Sequence, residues 1–143
     1  MPFVYRPMVH EGSKPMIGSF DNMLGVRTSG PRADVFLNSD NKVGPGHGMS
    51  VSSDWTKLPP LLIPFRYREQ APRARGSDNL TIFRLDDHDL ENGPNDDHLT
   101  LAWDKRAHGL IEPSREMLID DYQNALAATR DRWNVVAIQE DRQ

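Results

Sequence analysis

The chain contains no cysteine, which excludes both a disulfide framework and a thiolate metal site and leaves stability to packing alone. No apolar run approaches the roughly 18 residues of a membrane span, and the first residues lack the basic-then-apolar pattern of a cleaved secretory signal. These absences predict a cytoplasmic protein without a membrane partner, exported, if at all, by a route needing no signal peptide or as part of a larger particle. Apolar residues are also scarce, at 37% with a mean hydropathy of -0.65, while eleven prolines and ten glycines interrupt the chain. That balance predicts short strands and much irregular structure rather than a helical bundle, in a loop-rich α+β or mostly β protein. No internal repeat is visible, and 143 residues suit one domain, 1–143, able to support a shallow cleft. A net charge of -4 with interspersed signs argues against nucleic-acid binding as the main activity, because phosphate neutralisation needs clustered cations.

What is present is organised around Gly44-Pro45-Gly46-His47-Gly48-Met49-Ser50-Val51-Ser52-Ser53-Asp54-Trp55. The three glycines permit positive φ and close approach, so their N–H groups could line a concavity. Met49 and Val51 then alternate with Ser50 and Ser52, which predicts a strand over 49–53 with two hydroxyls on one face. The alternative is a solvated edge strand after a loose turn.

Phe3–Met8 has strand composition, and Pro7 predicts an edge or a strand end. Arg6 inside that strand is either a snorkelling surface residue or a planar anion clamp facing a cleft. Further strands are expected over 34–37, 61–65, 80–85, 98–103 and 108–112, with a short helix over 17–24 and an edge strand over 135–138. Tyr122, Ala125, Leu126, Thr129 and Trp133 form one apolar stripe of a C-terminal helix, capped by Ser114 or Asp120, with Arg130 and Arg132 opposing its negative end. Tyr122 and Trp133 are core residues on this pattern.

Arg66, Arg68, Arg73 and Arg75 form a basic stretch, and Asp86, Asp87, Asp89, Glu91, Asp96 and Asp97 an acidic one. Solvated loops are the ordinary meaning of such runs. Asp86-Asp87-His88-Asp89 has metal-ligating residue types, but its spacing does not repeat and a loop makes a poor cage, so no metal is expected.

His108-Gly109-Leu110-Ile111-Glu112-Pro113, with Met117 and the segment to Trp133, resembles the C-terminal part of a family of small ADP-ribosyltransferase-like toxins typified by a type VI secretion effector. Tyr5-Arg6 is similar to that family's first-strand pair, Gly48-Met49-Ser50-Val51 to its glycine-hydroxyl-serine-valine segment, and Leu58-Pro59-Pro60 to a proline-rich step downstream. Met49 replaces the family's threonine, and 66–97 has no counterpart. The resemblance implies an ADP-ribosyltransferase-like fold, a short-stranded β core around a cleft with a C-terminal amphipathic helix. It also implies NAD as substrate, a cognate immunity or antitoxin protein, and a macromolecular acceptor of unknown identity. It does not mark Glu112 as the catalytic glutamate.

Cleaving the bond between nicotinamide and ribose passes through an oxocarbenium-like state. It calls for a guanidinium on phosphate or ribose oxygens, a positioning hydroxyl and a stabilising carboxylate. Arg6, Ser50 and Glu112 are the catalytic candidates. Tyr5, Arg6, His47, Gly48, Ser50, Ser52 and His108 are the candidates for holding NAD, with Trp55 as an alternative flank for nicotinamide. Arg6 and Ser50 are expected to meet across one cleft, and Arg6→Ala to weaken NAD binding while the fold survives. The expected activity is ADP-ribosyl transfer to a cytoplasmic target, or NAD hydrolysis. The alternatives are a toxin ribonuclease with His47 and His108 as acid and base, and a non-enzymatic interaction module.

Overall fold

The computed structural model describes residues 3–30, 33–86 and 99–138. The strands are β1 (Phe3–Glu11), β2 (Lys14–Pro15), β3 (Lys42–Val43), β4 (Met49–Ser52), β5 (Leu80–Asp86), β6 (Leu99–Lys105), β7 (His108–Pro113), β8 (Met117–Leu118) and β9 (Asn134–Val135), with one helix, α1 (Ile119–Ala127). The main sheet runs β6-β7-β4-β1-β5-β9, antiparallel at every junction, with β2 folded back on β1. β3 and β8 form a separate two-stranded ribbon. The protein is therefore α+β with a mostly antiparallel sheet, as its composition predicts.

Strand alternation sends two apolar sets to opposite faces. Val4, Met8, Met49, Val51, Phe83 and Leu85 point to one face, where Tyr122, Leu126 and Trp133 close over them. Ile82 points to the other, against Trp55, Ile63, Tyr67, Ala71 and Ala74, with Tyr5 and Leu58 at the margin. Tyr122 and Trp133 have no exposed surface, the core position their helical spacing predicts.

The expected stripe outruns its helix. α1 ends at Ala127, and Trp133 follows a separate turn of 3-10 helix over Arg130–Arg132. Trp133 is fixed there by its indole N–H, which donates to Thr129 Oγ1 at 3.0 Å, while that hydroxyl donates to the Leu126 carbonyl at 2.7 Å. Neither Ser114 nor Asp120 caps α1. Leu118 occupies the N-cap without a side-chain bond, and Asp120 and Asp121 lie in the first turn, where the dipole favours negative charge. Arg130, expected to oppose the dipole, donates instead to the Pro15 carbonyl at 2.8 Å and to the Glu11 carboxylate at 3.0 Å.

Three expected elements are absent from the described residues. Residues 17–24 form turns joined by an isolated Ile17–Leu24 bridge, not a helix, and 34–37 forms no strand. Residues 61–65 fall in turns of 3-10 helix, Pro60–Leu62 and Phe65–Tyr67, preceded by Pro59 and Pro64. Proline fixes φ and removes the N–H a ladder needs, so these prolines turn an apolar run into corners that leave Leu61 and Phe65 exposed. The expected strand over 98–103 is observed over Leu99–Lys105, and that over 135–138 over Asn134–Val135. Asp87, His88, Asp89, Glu91, Asp96 and Asp97 lie outside the described residues.

Candidate functional site in the split between two central strands

Pro7 lies in a central strand, contrary to the edge position expected for it. On one side β1 pairs with β5 from Phe3–Asp86 to Val9–Leu80. On the other it meets β4 at a single register position, Tyr5–Ser52. Continuing that register would set Pro7 opposite Ser50, and Pro7 has no N–H to give. The strands part there, so β1 behaves as an edge on that side although the sheet continues beyond it.

Arg6 fills the gap. Its Nη1 donates to the Ser50 carbonyl at 2.7 Å, its Nε to the Met23 carbonyl at 3.2 Å, and its Nη2 to the carbonyls of Asp21 and Met23 at 2.8 and 3.0 Å. A longer contact reaches the Gly25 carbonyl. The guanidinium thus ties the 16–26 loop to β4, replacing a ladder donor with a side-chain donor. It is only 4% exposed, and burial pulls its pKa down to about 10, partly opposed by the charges of Asp34 and Asp21. It remains a cation at neutral pH.

The split opens into a cleft of about 460 Å³ bordered by Tyr5, Arg6, Asp21, Asp34, Ser50 and His108 and walled by the Leu58-Pro59 ridge and Leu62. Tyr5 and Ser52 are register partners, as are Ser52 and His108, so Tyr5, Ser50, Ser52 and His108 belong to one face of the sheet. Arg6 starts from the opposite face. Arg6 and Ser50 do meet at the cleft, but through the serine carbonyl and not its hydroxyl. The expected anion clamp is corrected accordingly: the guanidinium is largely consumed by backbone carbonyls, and only one Nη1 hydrogen is without a partner among the described residues.

Not all the candidates converge. Glu112 is half-buried away from the cleft lining, and its carboxylate accepts from the Gly46 N–H at 3.2 Å, steadying the turn before β4. His47 stands edge-on to Phe36 with ring centroids 5.0 Å apart, and it does not share the cleft with His108. Gly48 serves packing, since a Cβ there would lie 2.4 Å from the Ile111 carbonyl oxygen. Ser52 is buried at the end of β4, its hydroxyl donating to the Asp54 carbonyl at 2.9 Å and accepting from the Asp54 N–H. Trp55 packs on Tyr67 inside the second core cluster. The glycine-rich loop is therefore a turn between β3 and β4 that does not border the cleft.

His108 does border it. Its Nδ1 lies 2.7 Å from Asp104 Oδ1, and since the carboxylate can only accept, the ring holds its proton on Nδ1 toward Asp104. The contact holds the Asp104 carboxyl below the usual range. Behind the site, Tyr122 accepts from the Met49 N–H at 3.0 Å and donates to the Ile111 carbonyl, bridging β4 and β7 from the core side, and burial raises its pKa.

Sequence reasoning missed Asp21 and Asp34. Asp34 Oδ2 accepts from the Arg27 N–H at 2.7 Å, and Asp21 Oδ1 lies 3.3 Å from Arg27 Nη2. Both sit in irregular segments whose periodicity signals nothing; Arg6 and the Val9 N–H bond the Asp21 segment to β1, and the Asp34 N–H donates to the Arg27 carbonyl, tying the second segment to the first. Among the described residues no three histidines or carboxylates gather as a metal site. No protein-family model, curated protein or solved structure matches the chain significantly.

Proposed function

We propose that the chain is an NAD-binding, ADP-ribosyltransferase-like toxin domain that transfers ADP-ribose to a target in the cytoplasm or hydrolyses NAD. One observation carries this reading. The three segments that resemble the toxin family, around Tyr5, Ser50 and His108, lie far apart in sequence yet form the adjacent strands β1, β4 and β7, and each contributes to one cleft.

In this reading Tyr5 offers an aromatic face to nicotinamide, while the Ser50 hydroxyl and the His108 ring bond ribose oxygens from the same side. Arg6 is a positioning residue that holds the strands apart at a fixed width. The carboxylate that stabilises the oxocarbenium-like state falls to Asp34 or Asp21, which border the cleft, and no longer to Glu112. The ribonuclease alternative loses its acid and base pair, because His47 and His108 are not on a common cleft. An immunity or antitoxin partner and a macromolecular acceptor belong to the same proposal.

Calorimetric titration with NAD, followed by chromatography for released nicotinamide, tests it. Saturable binding weakened by about tenfold in Ser50→Ala is expected, the loss of one hydrogen bond at roughly 1.4 kcal/mol per decade. Absence of saturation at millimolar NAD in the folded protein would overturn it.

A further inference from the structure

We infer that a second concavity, across the Leu58-Pro59 ridge from the cleft, is a nucleoside-diphosphate subsite in which Lys57 and Arg73 neutralise the phosphates. The identification of its ligand as the diphosphate half of NAD rests on the function proposed above. The concavity measures about 520 Å³, and it shares Leu58 and Pro59 with the cleft. Each volume lies within the roughly 300 to 1,000 Å³ usual for small-molecule sites.

A dinucleotide bound at the strand split needs cations for its two phosphates, and Arg6 cannot be the main source because its donors are taken by carbonyls. Two other nearby arginines, Arg66 and Arg68, are also engaged. Arg66 donates to Asp78, to the Leu80 carbonyl and to Thr81, and Arg68 lies over the Phe65 ring. Lys57 and Arg73 border the second concavity and are exposed, and their side chains have no hydrogen bond or ion pair among the described residues.

Their backbones are nevertheless fixed. Lys57 ends a turn of 3-10 helix that is capped by Asp54 and anchored by buried Trp55. Arg73 lies between buried Ala71 and Ala74, and the Ala74 N–H donates to the Ala71 carbonyl at 2.9 Å. The Arg75 N–H then donates to the Pro60 carbonyl at 3.0 Å, closing the loop onto the ridge. Two uncommitted cations on anchored backbone beside a proline wall suit a diphosphate, whose oxygens accept from both an ammonium and a guanidinium.

The test is calorimetry with ADP, adenosine and NAD on the wild type, Ser50→Ala and the double variant Lys57→Gln/Arg73→Gln. ADP should bind the wild type more tightly than adenosine, with an affinity that falls as salt is raised. The double variant should keep the wild-type melting temperature and weaken ADP and NAD by about tenfold, each exposed cation being worth at most roughly fivefold. If NAD fails to bind while ADP binds through these two cations, the subsite stands and the NAD proposal fails. If NAD binding responds to Ser50→Ala but not to the double variant, the subsite fails and the NAD proposal stands. The subsite is equally overturned if ADP does not bind, if adenosine binds as well as ADP, or if an oligoribonucleotide uses the same cations with higher affinity than ADP.

Discussion

The two edges of β4 differ. Toward β7 it is zipped over its whole length, from Met49–Ile111 to Ser52–His108, and Tyr122 seals that junction from the core. Toward β1 it has one paired position and a side chain where the next ladder bond would be. A strand paired by backbone on both edges leaves no room for a ligand. Here one proline removes the donor that would close the sheet, one arginine restores the bond at side-chain length, and the difference in reach becomes the width of a cleft.

The largest expected effect is on the open edge. Arg6→Ala strips donors from the part-buried carbonyls of Met23, Asp21 and Ser50 and from the buried Gly25 carbonyl, and a carbonyl left bare out of water costs about 1 to 3 kcal/mol. A loss of about 3 kcal/mol or more is expected in chemical denaturation, much of the stability of a typical domain. This replaces the expectation that the fold survives the change. A variant as stable as wild type would show that the guanidinium does not hold the split.

The closed edge should respond less. Tyr122→Phe removes the acceptor of the Met49 N–H and the donor to the Ile111 carbonyl, and about 1 to 3 kcal/mol should be lost with the cleft unaltered. Gly48→Ala at the same junction drives a Cβ against the Ile111 carbonyl oxygen, and overpacking of this kind costs about 1 to 3 kcal/mol. If either change weakened NAD binding more than it weakened the fold, the two edges would not be separable.

The smallest effect concerns His108. Its contact lowers the folded pKa of Asp104, so the contribution to stability is present above the unfolded carboxylate value of about 3.9 and is lost as the pH falls through the lower folded value. Both groups are well exposed, which makes that contribution slight. Melting curves of wild type and Asp104→Asn should differ slightly at pH 5 and converge on acidification. A gap that widened in acid would contradict the assigned contact.

The fold class was legible in the sequence because alternation in β1, β4, β5, β6 and β7 and the apolar spacing of Tyr122, Ala125 and Leu126 are local signals with a strong period. The corners at Pro60–Leu62 and Phe65–Tyr67 were not legible, because their apolar composition signals a strand while Pro59, Pro60 and Pro64 dictate the backbone. Tyr5, Ser50 and His108 were legible as candidates, but not the job of Arg6, which depends on carbonyls far away in sequence. Asp21 and Asp34 lie in segments with no period at all, and their place at the cleft follows from tertiary packing alone. Glu112 and His47 had suitable chemistry in unsuitable places, since a residue type says nothing about which face of a turn it reaches.

The open edge of β4 is the proposed NAD site. Backbone NMR of the folded protein during an NAD titration tests it most directly, because each strand and the glycine-rich loop report separately. Saturable shifts centred on Tyr5, Ser50 and His108, with His47 and Phe36 unmoved, are the predicted result. Shifts confined to the glycine-rich loop, or no saturation while the protein remains folded, would contradict it.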